Sequence, residues 1–513
     1  MKKTKLIILI LSLVIMLAAC RPTDDQDPVI DLRAIYPQND IYYQIFVRSF
    51  ADTTGNGIGD LNGITENLDY LVDLGVTALW LLPVNPSPSY HGYDVTDYYG
   101  INPDYGTMVD FQRLIDEAAD RGIKIVIDLV INHTSDQHPW YVSARSGTSS
   151  PYRDYYVWTS PTSAYESFVG GMKDLNLANP VVVQEIKDIM DFYLDMGVHG
   201  FRLDAAKHFF DKPGTTGVIL KNALFIFELN HHIKANHPDS FIVSEVFDYS
   251  YVTYADYYIG SDSLFNFVAA SNIWDKIGRG NSRFLLVSNL RRLYEEIRDI
   301  NPDFVDSPFL VNHDLDRLAS TGGFLDHEGF DKMKLATRFL LTLPGSPFIY
   351  YGEELAMKGY RDYSQDGVQV PGYGKAYDEF RRTPFLWGDP TKETWWFPDT
   401  QNLETPNLIQ QLDDPESMIH VYKTFIALRR AHPALMYGNS FEPFNGNTSN
   451  IQGFIRHFQH EHINQAVLVI HNISPLNQVI DLPYLSILYG SLSLAPYASV
   501  ILEIDPDLIG DYT

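Results

Sequence analysis

The sequence predicts an α/β protein, a (β/α)8 TIM barrel with a small excursion domain after the third strand and a C-terminal antiparallel β-sandwich. Three observations lead there. From residue 40 onward, short runs rich in β-branched and aromatic residues alternate with longer segments of helical period, the pattern of βα units. Eight such runs occur before the pattern changes, enough to close a barrel. The 513-residue chain is 45% hydrophobic, 13% aromatic and 20% charged, a globular composition with ample material for a large core.

Residues 1–19 have a basic start, an apolar run over 6–17 and then small residues, an export signal too short to span a membrane comfortably. The segment Leu17-Ala18-Ala19-Cys20 resembles the lipobox of bacterial lipoproteins. Cys20 is the only cysteine, so an internal disulfide is excluded and lipid attachment at Cys20 is expected, placing the protein outside the cytoplasm on a membrane anchor. Residues 20–39, polar and proline-containing, read as a tether.

The barrel is expected over 40–132 and 180–436, with strands at 41–50, 76–84, 123–131, 200–206, 241–247, 263–267, 308–313 and 346–351. Helix patterns such as 107–121 and 180–196 end beside Gly122 and Gly197, where a glycine C-cap is easily made. Residues 133–179 lack a long periodic helix and form the excursion. After a helical segment at 415–432, residues 437–513 alternate short apolar strands with turns and read as the sandwich. The formal charge is −27, from 65 acidic and 38 basic residues, which disfavours nucleic acid as a partner. A monomer is expected.

Reactive groups in such a barrel project from the carboxyl ends of the strands. Strand three runs into Asp128, Asn132 and His133, strand four into Arg202 and Asp204, strand five into Glu245, and strand seven into Asn312, His313 and Asp314. Asp204 and Glu245 suit a retaining glycosidase, with one carboxylate attacking the anomeric carbon and the other protonating the leaving oxygen. In GFRLDAAKH, Arg202 stands two residues before Asp204 and shares its strand face, while Lys207 and His208 follow, so basic neighbours are expected to hold Asp204 ionised. Glu245 lies among Ile242, Val243, Val246 and Phe247, where desolvation favours its protonated form.

From residue 40 onward the chain resembles the α-amylase family of glycoside hydrolases. DLVINHTS (128–135), GFRLDAAKH (200–208), SEVF (244–247) and FLVNHD (309–314) match its four main motifs in order. The resemblance implies Asp204 as nucleophile, Glu245 as acid/base and Asp314 as a stabiliser gripping sugar hydroxyls. It implies substrate contacts from Tyr93, Asp94, His133, Arg202, Lys207, His208 and His313. It also implies calcium between barrel and excursion, held by Asn132, Asp174 and the His208 carbonyl. A second calcium is implied in the loop DTTGNGIGD, held by Asp52, Thr54, Asn56, the Ile58 carbonyl and Asp60, weakened by its few carboxylates; the alternative there is a metal-free glycine turn closed by side-chain hydrogen bonds. Ser244, Phe247 and Lys173 depart from the family's usual glycine, tryptophan and proline.

The expected activity is retaining, endo-acting hydrolysis of α-1,4-glucosidic bonds in starch-like polysaccharides and maltooligosaccharides. Lys207-His208 favours it, whereas Asp94 matches an acid that some exo-acting relatives use on the chain end. An exo-acting α-glucosidase or oligo-1,6-glucosidase, or a glucan transferase, shares the same catalytic residues. A non-catalytic glucan-binding lipoprotein is disfavoured by the intact Asp204, Glu245 and Asp314.

Overall fold

The computed structural model describes residues 31–513, apart from 213, 282–284, 372–373 and the side chains of 251 and 252. The expected signal at 1–19, Cys20 and the first part of the tether lie outside the described residues. The chain divides at Pro37. Before it stands one helical turn, Leu32–Ile35, capped by the Asp31 carboxylate. Among the described residues, no helix is long and apolar enough to cross a membrane.

From Gln38 onward, seven strands run parallel: Tyr42–Ile45, Ala78–Leu81, Lys124–Leu129, Gly200–Leu203, Phe241–Ser244, Ser263–Leu264 and Phe348–Tyr350. Each of the first five pairs with the next, and the first also pairs with the last, Tyr42 opposite Phe348. Single parallel bridges from Ser307 to Phe265 and from Phe309 to Phe348 fill the gap between the sixth strand and the last, so the ring closes with eight positions. The expected seventh strand at 308–313 is thus reduced to two bridges. Pro308 has no N–H to give a ladder, and its carbonyl accepts from Phe348 N at 2.9 Å.

Aromatic side chains fill the barrel. Tyr42 stacks on Phe348 at 4.3 Å, and Trp80 and Phe348 each meet Phe265 at 4.9 Å. Trp80, only 1% exposed, is core. Helix Met108–Asp120 starts with a capping box between Thr107 and Asp110, and Gly122 follows its end at φ +70°. Helix Pro180–Asp195 starts at an Asn179 cap with proline in its first turn, and Gly197 turns the chain out at φ +102°.

Residues 133–179 hold a short ribbon of His133–Ser135 with Met172–Asp174, a second of Trp158–Ser160 with Ser163–Ala164, and the short helix Pro139–Ala144. The tail forms a five-stranded antiparallel sheet around the hairpin Ile451–His460 and Ile463–Asn472. One face buries Ile455, Leu468 and Leu502 beneath Ile480 and Leu494, beside a two-stranded ribbon. Phe454 meets Phe339 of helix Gly329–Thr342 at 5.5 Å, so the barrel covers the other face.

Candidate active site

The third and fourth strands are in register with Asp128 opposite Arg202, and the fourth and fifth with Arg202 opposite Val243, two residues before Glu245. This register builds the site. Gly200 makes the approach possible, because a Cβ there would lie 2.0 Å from the Phe241 carbonyl oxygen. Arg202 Nη1 donates to both oxygens of Asp128 at 2.7 and 2.9 Å and to Asp204 Oδ1 at 2.7 Å, and its Nη2 lies 2.9 Å from Glu245 Oε2. Ala205, in the left-handed region at φ +51°, aims its N–H at the same Glu245 oxygen at 3.0 Å. The two carboxylates expected to do the chemistry therefore share one fixed guanidinium.

Tyr93 and Asp314 line the cavity, and His313, absent from the lining, touches both. Tyr93 stacks on His313 with ring centres 5.5 Å apart, and its hydroxyl donates to Asp128 Oδ2 at 3.0 Å. Gln44 Nε2 donates to His313 Nδ1 at 2.8 Å, so the His313 proton is on Nε2, which lies 2.5 Å from the Tyr93 hydroxyl and 3.2 Å from Asp314 Oδ2. His133 carries its proton on Nε2 likewise, because that atom meets the Tyr93 carbonyl at 3.1 Å while Asn132 Nδ2 donates to Nδ1 at 3.2 Å. A cavity of about 260 Å³ opens here, lined by Tyr93, His133, Asp204, Glu245 and Asp314, and by the apolar side chains of Phe168 and Val370.

Burial pushes the pKa of Asp204 up, and the attraction of Arg202 only partly offsets it. Glu245 is pushed up to about 7 by burial, with Arg202 opposing and Asp204 and Asp314 adding to the rise. Burial likewise raises Asp128. One guanidinium faces three buried carboxyls that titrate as a unit, so the cluster holds a proton near neutral pH. The imidazoles are neutral: burial lowers His133 to about 4 and His313 well below its usual value.

Of the three basic groups expected to hold Asp204 ionised, only Arg202 touches it. Lys207 turns outward to the Phe247 carbonyl at 3.2 Å and Asp248 at 3.0 Å, and His208 Nδ1 lies 3.3 Å from Asp211. Asp94, 2% exposed, accepts from the hydroxyls of Ser87 and Ser89 and is absent from the cavity lining.

The proposed junction metal site does not fit a metal. Lys212 Nζ stands among its oxygens, donating to Asn132 Oδ1 at 3.0 Å, to the His208 carbonyl at 3.0 Å and to Asp174 Oδ2. In the glycine loop, Asp52 accepts from the N–H groups of Thr54, Gly55 and Gly57, and Thr54 Oγ1 also donates to it. Asn56 accepts from Ile58 N at 2.7 Å, and Asp60 from Thr53 and Gly63. These side-chain hydrogen bonds close the loop. Among the described residues, no three acidic, imidazole or thiol groups gather to hold an ion.

Arg382 escaped notice in the sequence. Its Nη2 pairs with Asp314 Oδ1 at 2.9 Å and its Nε donates to the His313 carbonyl at 3.1 Å. It sits 68 residues beyond Asp314 in a segment without strand or helix period, and only the run Arg381-Arg382 marked it.

A parallel barrel whose carboxyl-end cavity presents paired carboxyls on a buried arginine defines a glycoside hydrolase. The model of the α-amylase catalytic domain matches residues 44–438, and the chain belongs to the α-amylase family. It is 38% identical to Alpha-amylase 3 of Dictyoglomus thermophilum, covering 91% of this chain and 93% of that one. It is 31% identical to an oligo-1,6-glucosidase of Parageobacillus thermoglucosidasius, covering 86% and 91%. The crystal structure of an α-amylase from H. orenii superposes with a TM-score of 0.79 at 34% identity, covering 91% of this chain and all of that one. The family resemblance and the barrel with its C-terminal β-domain are therefore as expected, and the chain is an α-amylase-family hydrolase or transferase.

Proposed function

We propose that the protein is a retaining, endo-acting hydrolase of α-1,4-glucosidic bonds in starch-like polysaccharides and maltooligosaccharides. The observation that carries this is the placement of Asp204 and Glu245 on the two nitrogens of one guanidinium at the cavity floor. Asp204 attacks the anomeric carbon as Glu245 gives its proton to the glycosidic oxygen, and the glycosidic bond breaks to leave a covalent glycosyl ester. Glu245, now ionised, takes a proton from water; the oxygen of that water attacks the same carbon and releases Asp204. Asp314, fixed by Arg382 and His313 on opposite oxygens, grips ring hydroxyls as positive charge develops. No step runs through calcium.

Endo action is supported by Asp94, which is bonded to two serines instead of facing the cavity, and by the name of the 38% identical relative. Exo action, or transfer, is favoured by a different feature. Val370 and Ala376, which follow the last barrel strand, line the cavity together with Phe168, Val169 and Met172 of the excursion. The lipobox-like segment supports attachment through Cys20 outside the cytoplasm. The test is product analysis on a maltooligosaccharide blocked at its non-reducing end, beside the free sugar. Internal cleavage of both establishes endo action; glucose from the free sugar alone establishes exo action.

A further inference from the structure

A groove of about 630 Å³ is lined by both the barrel and the C-terminal sheet, and it shares no lining residue with the cavity that holds Asp204 and Glu245. From the barrel come the π-helical turn Trp274–Gly278, which continues helix Phe267–Ile273, and the pair Gly322-Gly323. From the sheet come Asn450, just before strand Ile451–His460, and Ile473, just after strand Ile463–Asn472. A Cβ at Gly323 would lie 2.4 Å from the Gly278 carbonyl carbon, so glycine lets the two barrel segments meet. The charges along the groove are matched except for one. Lys332 Nζ lies 2.6 Å from Asp326 and 3.5 Å from Glu328, Glu328 also accepts from the Tyr497 hydroxyl at 2.6 Å, and Arg279 pairs with Asp275 at 2.6 Å. Lys276 is only 4% exposed, yet its ammonium has no acceptor and no carboxylate partner among the described residues. Burial lowers its pKa, and no neighbouring charge offsets the fall. The nitrogen is not sealed from water, so it opens into the groove that the side chain lines. The N–H groups of Gly280 and Gly322, on the same groove, also find no acceptor among the described residues, and a Cβ at either would meet nothing within 4 Å. One unmatched positive charge and two N–H donors, with the neighbouring carboxylates already engaged, form the donor set that an oxyanion takes.

We propose that this groove is a second ligand site, which binds a small oxyanion, a carboxylate or a phosphate group, through the Lys276 ammonium and the N–H groups of Gly280 and Gly322. An anion held there stabilises the folded chain, because the unfolded chain has no such site. The competing account is a lysine that lays its stem along apolar surface and gives its ammonium to water, which predicts no anion effect tied to Lys276.

The test compares thermal unfolding midpoints of the full chain in tens of millimolar phosphate, acetate or chloride at equal ionic strength. The variants are Lys276→Met, which keeps the stem and removes the charge, and Gly322→Asp, which puts a carboxylate into the open space at that glycine to compete with an anion for Lys276. Relative to chloride, phosphate or acetate is expected to raise the midpoint of the unaltered protein on the order of 2 °C and to do so in neither variant. A rise with phosphate and not acetate assigns a phosphate group, and a rise with acetate assigns a carboxylate. General effects of these salts act on all three proteins alike and drop out of the comparison. A rise in Lys276→Met as large as that of the unaltered protein overturns the site, and so does the absence of any rise in the unaltered protein with either anion. If Lys276→Met does not fold, Gly322→Asp decides by the same measure: an undiminished rise overturns the site, and a lost one supports it.

Discussion

Two places in the molecule have the same plan, one buried cation drawing together oxygens from several segments. At the cavity floor Arg202 gathers Asp128, Asp204 and Glu245. At the junction Lys212 gathers an amide, a carbonyl, a hydroxyl and the Asp174 carboxylate. Charge balance separates them. Three carboxyls around one guanidinium leave surplus negative charge in a medium of low dielectric, and protons return to relieve it. One carboxylate beside one ammonium is matched, which suits a tie and not a reaction. Surplus charge, more than the geometry of the cage, marks the reactive centre.

The sharpest break in this comparison comes from Asp204→Asn, which keeps the shape and removes the attacking charge. Hydrolysis should fall on the order of 10⁴-fold or more while glucan binding persists, read by steady-state rates beside calorimetric titration. Retention of the full rate would overturn the mechanism. Glu245→Gln comes next, at about 10³-fold on substrates with a poor leaving group and far less on an activated aryl glycoside that needs no acid. The unaltered enzyme should show the matching pH limb. Glu245 must carry its proton to act, and its pKa is pushed up to about 7. Its kcat/KM should therefore fall tenfold per unit above about pH 7, and Glu245→Gln should lack that limb. Arg382→Ala is milder. It removes one charged hydrogen bond from Asp314 and another from the His313 carbonyl, so kcat/KM should drop about 10- to 100-fold, and because Arg382 is buried the folding midpoint should fall with it.

Much of the cavity floor was legible in the sequence because period-two alternation on a short strand puts Arg202 and Asp204 on one face, and parallel register brings Asp128 beside them. The helix-ending glycines Gly122 and Gly197 were legible for a similar reason, since helix ends are decided locally. Elsewhere, local reading fell short. The rise in the pKa of Asp204 comes from how deeply the barrel buries it, which no spacing reveals. Lys207 and His208 follow Asp204 in a 3-10 turn, so adjacency in the chain carried them away from it instead of toward it. Arg382 approaches Asp314 from a loop after the last strand, and Lys212 enters the junction by a fold-back of one stem. At the junction the calcium expectation was read from oxygens alone and did not weigh a cation four positions after His208.

The smallest expected effect tests the quiet member of the pair. Ser167 Oγ donates to Asp174 Oδ2 at 2.6 Å and stands 3.4 Å from Lys212 Nζ, while its backbone N–H holds Asp174 Oδ1 at 2.7 Å. Ser167→Ala removes one neutral donor and leaves the backbone contact, the ammonium and the carboxylate in place. The loss should be that of a single hydrogen bond, about 0.5–1.5 kcal/mol in a denaturant titration, with kcat and its pH profile unmoved. The reason is that the charges at the junction remain matched after the change. A shifted pH profile in Ser167→Ala would mean that the junction feeds the carboxyl cluster electrostatically, and the division between a balanced tie and an unbalanced reactive centre would then fail.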